Sequence, residues 1–218
     1  NHPKVIYDCD DVLWPLTEKA CKNQKVPYGK QKAYRLNDDD GLSEAEKTKL
    51  LDAFHDVQTF QEMEFYPEIS DLSEISALGA EIAINSNCFN REIAELKREQ
   101  LIAKLPFIYK KDLHINVVTP RTNHKAVAEG TLAFVDDSPY NISTSQALLN
   151  LVPKRSWNIS EAAQKIMLEG GGEIVKDWRQ ALPAIASVNV GKHIIYVQDL
   201  AEANMIIKQA IKLAKGEK

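Results

Sequence analysis

Short apolar runs that end in polar loops alternate along this chain with helical periodicities. Val5-Ile6-Tyr7 runs straight into Asp8-Cys9-Asp10-Asp11. An unbroken apolar run of this kind is what a strand buried on both faces of a parallel sheet requires. Residues 81–84, 115–118, 132–135, 148–152 and 194–197 repeat the pattern. Between them Leu50, Leu51, Phe54 and Val57 fall on one helical face, behind Ser43 and Glu46 at capping-box spacing. Ile69, Leu72, Ile75 and Leu78 form a second face, which Gly79 can end in the left-handed conformation. Residues 90–105 read as a third helix, and Asn123-His124-Lys125 opens a fourth. A last helix starts at Asp199, capped by Glu202, with Leu200, Ala203, Ile207, Ala210 and Leu213 as its apolar side. Its apolar face can pack on the sheet or meet a second copy. Strands alternating with helices predict an α/β fold: a parallel sheet with helices on both faces.

Chemistry enters where the strands end. Asp8, Asp10 and Asp11 put three carboxylates within four residues. Such a cluster is either a solvated acidic turn or the ligand set of a hard divalent cation, for which Mg²⁺ is the natural candidate. A carboxylate with a second one beside it also supplies a nucleophile and an acid/base for phosphoryl transfer. The run 132–135 ends in Asp136-Asp137 and repeats the first pattern. In parallel sheets ligands bind at the carboxyl ends of strands, so acids 128 residues apart converge if both runs are strands. Ser86, flanked by Asn85 and Asn87, reads as a phosphate-oxygen binding group or as a cap for the following helix. Lys125, taken alone, reads as a surface lysine. Asn37-Asp38-Asp39-Asp40-Gly41 fails the EF-hand spacing, because Leu36 stands five before the glycine, and reads as a solvated turn.

Composition narrows the classes. The chain has 218 residues, 44% apolar, 27% charged, with a formal charge of -4, which disfavours a nucleic-acid backbone binder. The odd count of three cysteines with no paired spacing implies a reducing compartment, hence a cytoplasmic protein. No run approaches a membrane span and no signal-peptide pattern opens the chain. Gly170-Gly171-Gly172 lacks the flanks of a dinucleotide fingerprint. Residues 14–66 read as a small helical insert holding Trp14, Tyr28, Tyr34, Phe54, Phe60, Phe65 and Tyr66. Most of these rings serve packing, and one or two could line a pocket for a planar group. Residues 1–13 and 67–190 read as the α/β core, and residues 191–218 as a C-terminal strand and helix extension.

Together the motifs resemble the haloacid dehalogenase superfamily of phosphohydrolases. Its Asp-x-Asp-x-Val-Leu motif matches residues 8–13, its strand-two Ser or Thr matches Ser86, its Lys before strand four matches Lys125, and its acid pair matches Asp136-Asp137. Asp136-Asp137-Ser138-Pro139-Tyr140-Asn141-Ile142 is similar to a pattern of the 5′-nucleotidase and 5′(3′)-deoxyribonucleotidase group, as is Lys154-Arg155-Ser156-Trp157-Asn158. The group usually has Gly where this chain has Asp11. The resemblance implies a Rossmann-like sheet with a helical cap inserted after the first strand. It implies a Mg²⁺-dependent phosphatase that works through an aspartyl-phosphate on Asp8, with Asp10 as acid/base. Mg²⁺ would be held by Asp8, by Asp10 through its backbone carbonyl, and by Asp136 and Asp137. Ser86 and Asn87 would bind the phosphoryl oxygens, and Lys125 would offset the negative charge. The expected partner is a small phosphomonoester, a nucleoside monophosphate before a sugar phosphate, and the expected state is a monomer or homodimer. A mutase and a catalytically silent phosphate-binding protein are the alternatives.

Overall fold

The computed structural model describes residues 2–118, 127–185 and 191–216. Seven strands form one sheet: β1 (Lys4–Tyr7), β2 (Glu81–Cys88), β3 (Leu113–Val117), β4 (Thr131–Val135), β5 (Leu149–Pro153), β6 (Glu173–Ile174) and β7 (His193–Val197). Their order is β3-β2-β1-β4-β5-β7-β6, and every pairing is parallel. The order reverses at β1, whose neighbours are β2 on one side and β4 on the other. Tyr7 stands opposite both Ile84 and Val135, and the Asp8 N–H donates to the Val135 carbonyl (2.8 Å). Loops leaving β1 and β4 therefore start side by side, as at a topological switch point.

The described helices are α1 (Leu16–Gln24), α2 (Glu44–His55), α3 (Val57–Gln61), α4 (Asp71–Ala77), α5 (Arg91–Lys104), α6 (Pro139–Thr144), α7 (Glu161–Glu169), α8 (Trp178–Ile185) and α9 (Leu200–Ala214). Alternate residues of the strands feed two cores. Val5, Tyr7, Ile82, Ile84, Ala133 and Val135 pack with α4, α5 and α9, while Ile6, Ala83, Phe134 and Val152 pack with α6 and α7. This two-sided burial is why the strand sequences are continuously apolar. Strand β7 lies inside the sheet, and α9 packs on it. The Tyr7 hydroxyl donates to the Asn204 side chain (2.9 Å), tying α9 to β1. No helix among the described residues is long and apolar enough to cross a membrane.

Two elements differ from the sequence pattern. The run at 81–84 continues as strand through Cys88, because residues 84–88 pair in register with residues 113–117 of β3; Asn116 Nδ2 also donates to the side-chain oxygens of Asn85 (2.9 Å) and Asn87 (3.2 Å). The periodicity across Leu50–Val57 is broken at Asp56, which ends α2 and caps α3 through Gln58 N–H (3.1 Å).

Between β1 and β2 the chain makes α1 to α3. Its two ends meet, since the Tyr66 N–H donates to the Leu13 carbonyl (2.8 Å). Ala20, Cys21, Val26, Leu42, Leu50 and Ala53 give this segment a small core of its own. Trp14 and Phe60 are buried, and Trp14 stacks on Phe65 (5.0 Å between centroids). These rings are packing, as most of the cap aromatics were expected to be.

Candidate active site

Asp8, Asp136 and Asp137 are buried and converge. Each offers a carboxylate oxygen within 4.8 Å of the others. Each acid of the pair has its own support. The Ser138 N–H (2.8 Å) and the Asn141 amide (3.3 and 3.1 Å) donate to Asp136. The Trp157 indole N–H donates to Asp137 Oδ2 (2.9 Å), and the Asn158 amide donates to the Asp137 carbonyl (3.0 Å). The Asn of the 136–142 pattern and the Trp-Asn of the 154–158 segment thus do one job, which is to aim these two carboxylates. Asp8 Oδ1 accepts from the Cys9 N–H (2.6 Å). Burial, then the charges of Asp11, Asp136 and Asp8, push the Asp137 carboxyl well above its ordinary range, against the pull of Arg155. A divalent cation among these oxygens removes that penalty, and an all-oxygen donor set suits a hard one.

Asp10 points elsewhere. Its carboxylate accepts from the Trp14 indole (2.7 Å) and from Lys97 Nζ (2.6 Å). Lys97 is fully buried on α5 and also reaches Ser86 Oγ (3.3 Å) and the Asn87 carbonyl (3.1 Å). Burial pushes its ammonium down, but Asp10, Cys9 and Asp8 outweigh that and hold it above the ordinary lysine value. Lys97 therefore stays charged between the acids of the β1 loop and Ser86. Sequence reading missed it, although a signal exists. Ile93, Lys97 and Leu101 share the buried face of α5 at four-residue spacing, so a lysine stands at a core position. Ser86 is buried inside β2, with Asn85 and Asn87 facing the other way. The helix after it is capped by Asn90, through the Ile93 N–H (2.8 Å), and not by Ser86. Lys125 lies outside the described residues.

Asp11 takes φ +57°, the left-handed region where glycine sits without cost. Its carboxylate swings onto the Thr17 N–H (2.9 Å) and hydroxyl (2.6 Å) at the start of α1. The extra acid thus caps a helix. Burial pushes its carboxyl up to about 6; the Thr17 bonds and Arg155 oppose this and Asp10 adds to it. Arg155 donates to the Asp11 carbonyl (2.7 Å).

Tyr34 comes to the same place from between α1 and α2. It is 36% exposed. Its phenol is pushed well above its ordinary value by burial and by Asp137, Asp136 and Asp8. Its ring lies 6.2 Å from that of Tyr140.

No family model and no curated protein matches this sequence. Among solved structures the chain is similar to a haloacid dehalogenase-like family hydrolase from Streptococcus pneumoniae, at 14% identity over 89% of this chain and 93% of that one (TM-score 0.47). A candidate beta-phosphoglucomutase from Bacteroides vulgatus matches at 10% identity over 97% and 91% (TM-score 0.49). A candidate haloacid dehalogenase-like hydrolase from Burkholderia xenovorans LB400 matches at 13% identity over 97% and 99% (TM-score 0.46).

Proposed function

We propose that this protein is a Mg²⁺-dependent phosphomonoester hydrolase of the haloacid dehalogenase type, with residues 14–66 as its cap. The observation that carries this reading is the meeting of Asp8, Asp136 and Asp137, buried, from the ends of two neighbouring parallel strands. Solvated turns would leave these acids in water, whereas here each has a built hydrogen-bond support.

In this reading Asp8, Asp137 and Asp136 would hold the cation, together with the Asp10 backbone carbonyl. When bound, it supplies charge neutralisation for the phosphoryl oxygens. Asp8 attacks phosphorus and the ester P–O bond breaks; Asp10, which must first give up its pairing as a carboxylate with Lys97 and take up a proton, gives that proton to the leaving alkoxide. Asp10 then takes a proton from water, which opens the aspartyl-phosphate and releases inorganic phosphate. Ser86 and Asn87 bind phosphoryl oxygens. Lys97 holds Asp10 and Ser86 in place and, with Lys125, offsets the repulsion between an anionic nucleophile and an anionic substrate. The buried cap residues exclude water during the covalent stage.

A nucleoside monophosphate is the proposed substrate. The likeness of residues 136–142 to the nucleotidase pattern supports it, as do the partly open rings of Tyr28, Tyr34 and Tyr66 at the cap. The test is phosphate release from nucleoside 5′- and 3′-monophosphates and sugar phosphates, with Mg²⁺ and with EDTA. Mg²⁺-dependent release concentrated in the nucleotides is expected. Release from sugar phosphates alone would keep the chemistry and discard the substrate. The Asp8→Asn variant is expected to lose roughly 10³-fold or more of kcat while keeping its melting temperature. A fully active Asp8→Asn enzyme would remove Asp8 from the nucleophile's role.

A further inference from the structure

Resting on that reading, we propose that Trp14 is the positioning residue for the acid/base Asp10: its indole N–H fixes Asp10 Oδ1 and so leaves Oδ2 as the oxygen that passes the proton to the leaving alkoxide. Trp14 is the first residue of the insert and is fully buried. Its ring is clamped by two rings from the far end of the same insert, Phe65 stacked at 5.0 Å and Phe60 edge-on at 6.2 Å. Phe60 is buried in turn, and its carbonyl accepts from Gln100 Nε2 of α5 (3.0 Å). The backbone is fixed too. The N–H groups of Leu13 (2.9 Å) and Trp14 (3.3 Å) both donate to the Cys9 carbonyl, and the Tyr66 N–H closes on the Leu13 carbonyl. The ring packs, while the N–H reaches back four residues to Asp10 Oδ1 (2.7 Å).

A buried indole N–H needs an acceptor, and any backbone carbonyl would serve. Here the acceptor is a carboxylate whose other oxygen faces the Ser86 side of the site. Lys97 Nζ lies 2.6 Å from that Oδ2 and 3.3 Å from Ser86 Oγ. The two donors on Asp10 differ in what they can do. Lys97 is an ammonium on a flexible stem, and it keeps Ser86 Oγ and the Asn87 carbonyl (3.1 Å) when it lets go of Oδ2. Trp14 has one N–H, on a ring that cannot turn without displacing Phe60 and Phe65. An indole N–H donates and never accepts, so Oδ1 stays an acceptor whether Asp10 is charged or neutral, and the transferred proton sits on Oδ2. The insert thereby sets the orientation of an acid that belongs to the sheet.

The experiment measures kcat/KM for wild type, Trp14→Phe, Asp10→Asn and the double variant. Two substrates are used: p-nitrophenyl phosphate, and whichever nucleoside or sugar phosphate the wild type uses best, which is an alkyl ester. p-Nitrophenolate is a weak base that leaves without a proton, whereas an alkoxide needs one. The alkyl-to-aryl ratio therefore reads the proton transfer and is blind to a general loss of folded protein. Trp14→Phe keeps an aromatic ring and lowers that ratio about tenfold, the scale of one hydrogen bond to a charged group. In the Asp10→Asn background the same change leaves the ratio where it was. If Trp14→Phe does not fold, benzothienylalanine at position 14, which puts sulfur in place of the N–H at the same ring size, carries the same expectation. A wild-type ratio in the variant that folds, or an equal fall in both backgrounds, overturns the role of Trp14 and leaves the proposed function standing. A wild-type ratio in Asp10→Asn removes Asp10 from the acid's role and this inference with it, while Mg²⁺-dependent release keeps the hydrolase reading. A wild type inactive on all phosphomonoesters overturns the function and this inference together.

Discussion

Two acidic loops leave neighbouring strands of one sheet, and they solve the same electrostatic problem differently. After β1, the carboxylates spread apart. Asp8 stays with the cluster, Asp10 turns to Lys97 and Trp14, and Asp11 turns to Thr17. After β4, Asp136 and Asp137 stay together, and the donors to them among the described residues include the neutral groups of Ser138, Asn141 and Trp157. A run of acids in sequence thus has no single structural meaning. In the first loop one acid is paired with a lysine of the same chain, Lys97 of α5, and another is drawn off to a helix start. The second concentrates charge and suits a cation brought from solution. What separates them is the identity of the donors, and these come from elements remote in sequence, α5 for Asp10 and the 154–158 segment for Asp137.

The largest expected effect follows from the Lys97–Asp10 pair. Lys97→Met keeps the stem and removes the ammonium, which leaves the carboxylate in its site without its cation. Breaking such a buried pair costs about 3–5 kcal/mol, readable in a urea or thermal melt. The double variant Lys97→Met/Asp10→Asn is expected to recover more than half of that loss, because the cost is an uncompensated charge. A double variant no more stable than the single would mean that Lys97 acts through packing, and the contrast between the two loops would lose one side.

These partners explain what was legible in the sequence. Strands β1, β4, β5 and β7 are buried on both faces, so their apolar runs announce them. The second half of β2 is polar because Asn116 satisfies Asn85 and Asn87 from the next strand, a pairing that no local pattern reveals. Strand β6 has two residues and carries no pattern. The acids of the site were visible because each directly follows an apolar run. Lys97 was hidden because a core lysine is informative only beside the acid it meets, and Asp10 lies 87 residues away in sequence. Asp39 was read as solvated but is buried, because its partners are the backbone N–H groups of Lys32, Ala33, Gly41 and Leu42, which every residue type supplies. Asp11 departs from the glycine of the resembling group, and the structure gives the reason. The backbone keeps the left-handed turn, and the carboxylate finds Thr17.

A smaller effect tests the second loop. Trp157→Phe keeps an aromatic ring and removes the N–H that holds Asp137 Oδ2. Loss of an outer partner of a ligand carboxylate lowers metal affinity about 10–100-fold. The Mg²⁺ concentration for half-maximal phosphate release should rise accordingly, with kcat at saturating Mg²⁺ changed much less. Unchanged Mg²⁺ dependence would show that the indole bond does not aim the carboxylate.

Asp11 separates backbone from side chain. Asp11→Gly and Asp11→Ala both lose the bonds to Thr17 and both remove a buried acid from beside Asp10. They differ in the left-handed conformation, which costs alanine about 1–2 kcal/mol and glycine little. The glycine variant is expected within about 1 kcal/mol of wild type, by the cap substitution scale, and the alanine variant lower by the difference. Equal melting temperatures would mean that the turn at residue 11 relaxes on substitution.

The smallest effect concerns a carboxylate outside both loops, held like Asp10 by a lysine but at the surface. Glu46 of α2 accepts from Lys30 Nζ (2.8 and 2.7 Å) and from the Ser43 N–H (2.8 Å). The Lys30 bond first, and the Ser43 bond second, lower its carboxyl to about 2 from an ordinary 4.5. The folded value lies below the unfolded one, so the unfolded chain binds the proton more readily. The contribution is complete above pH 4.5 and is lost as the pH falls through about 2. Glu46→Gln should therefore flatten the fall in melting temperature between those two values. Because the pair is exposed, 1 M salt should erase most of the difference between wild type and variant. An acid melt that is identical in both proteins at low salt would show that a cation at the surface contributes nothing of the kind that Lys97 contributes in the interior. Burial, and not the presence of a lysine, would then be what distinguishes the β1 loop.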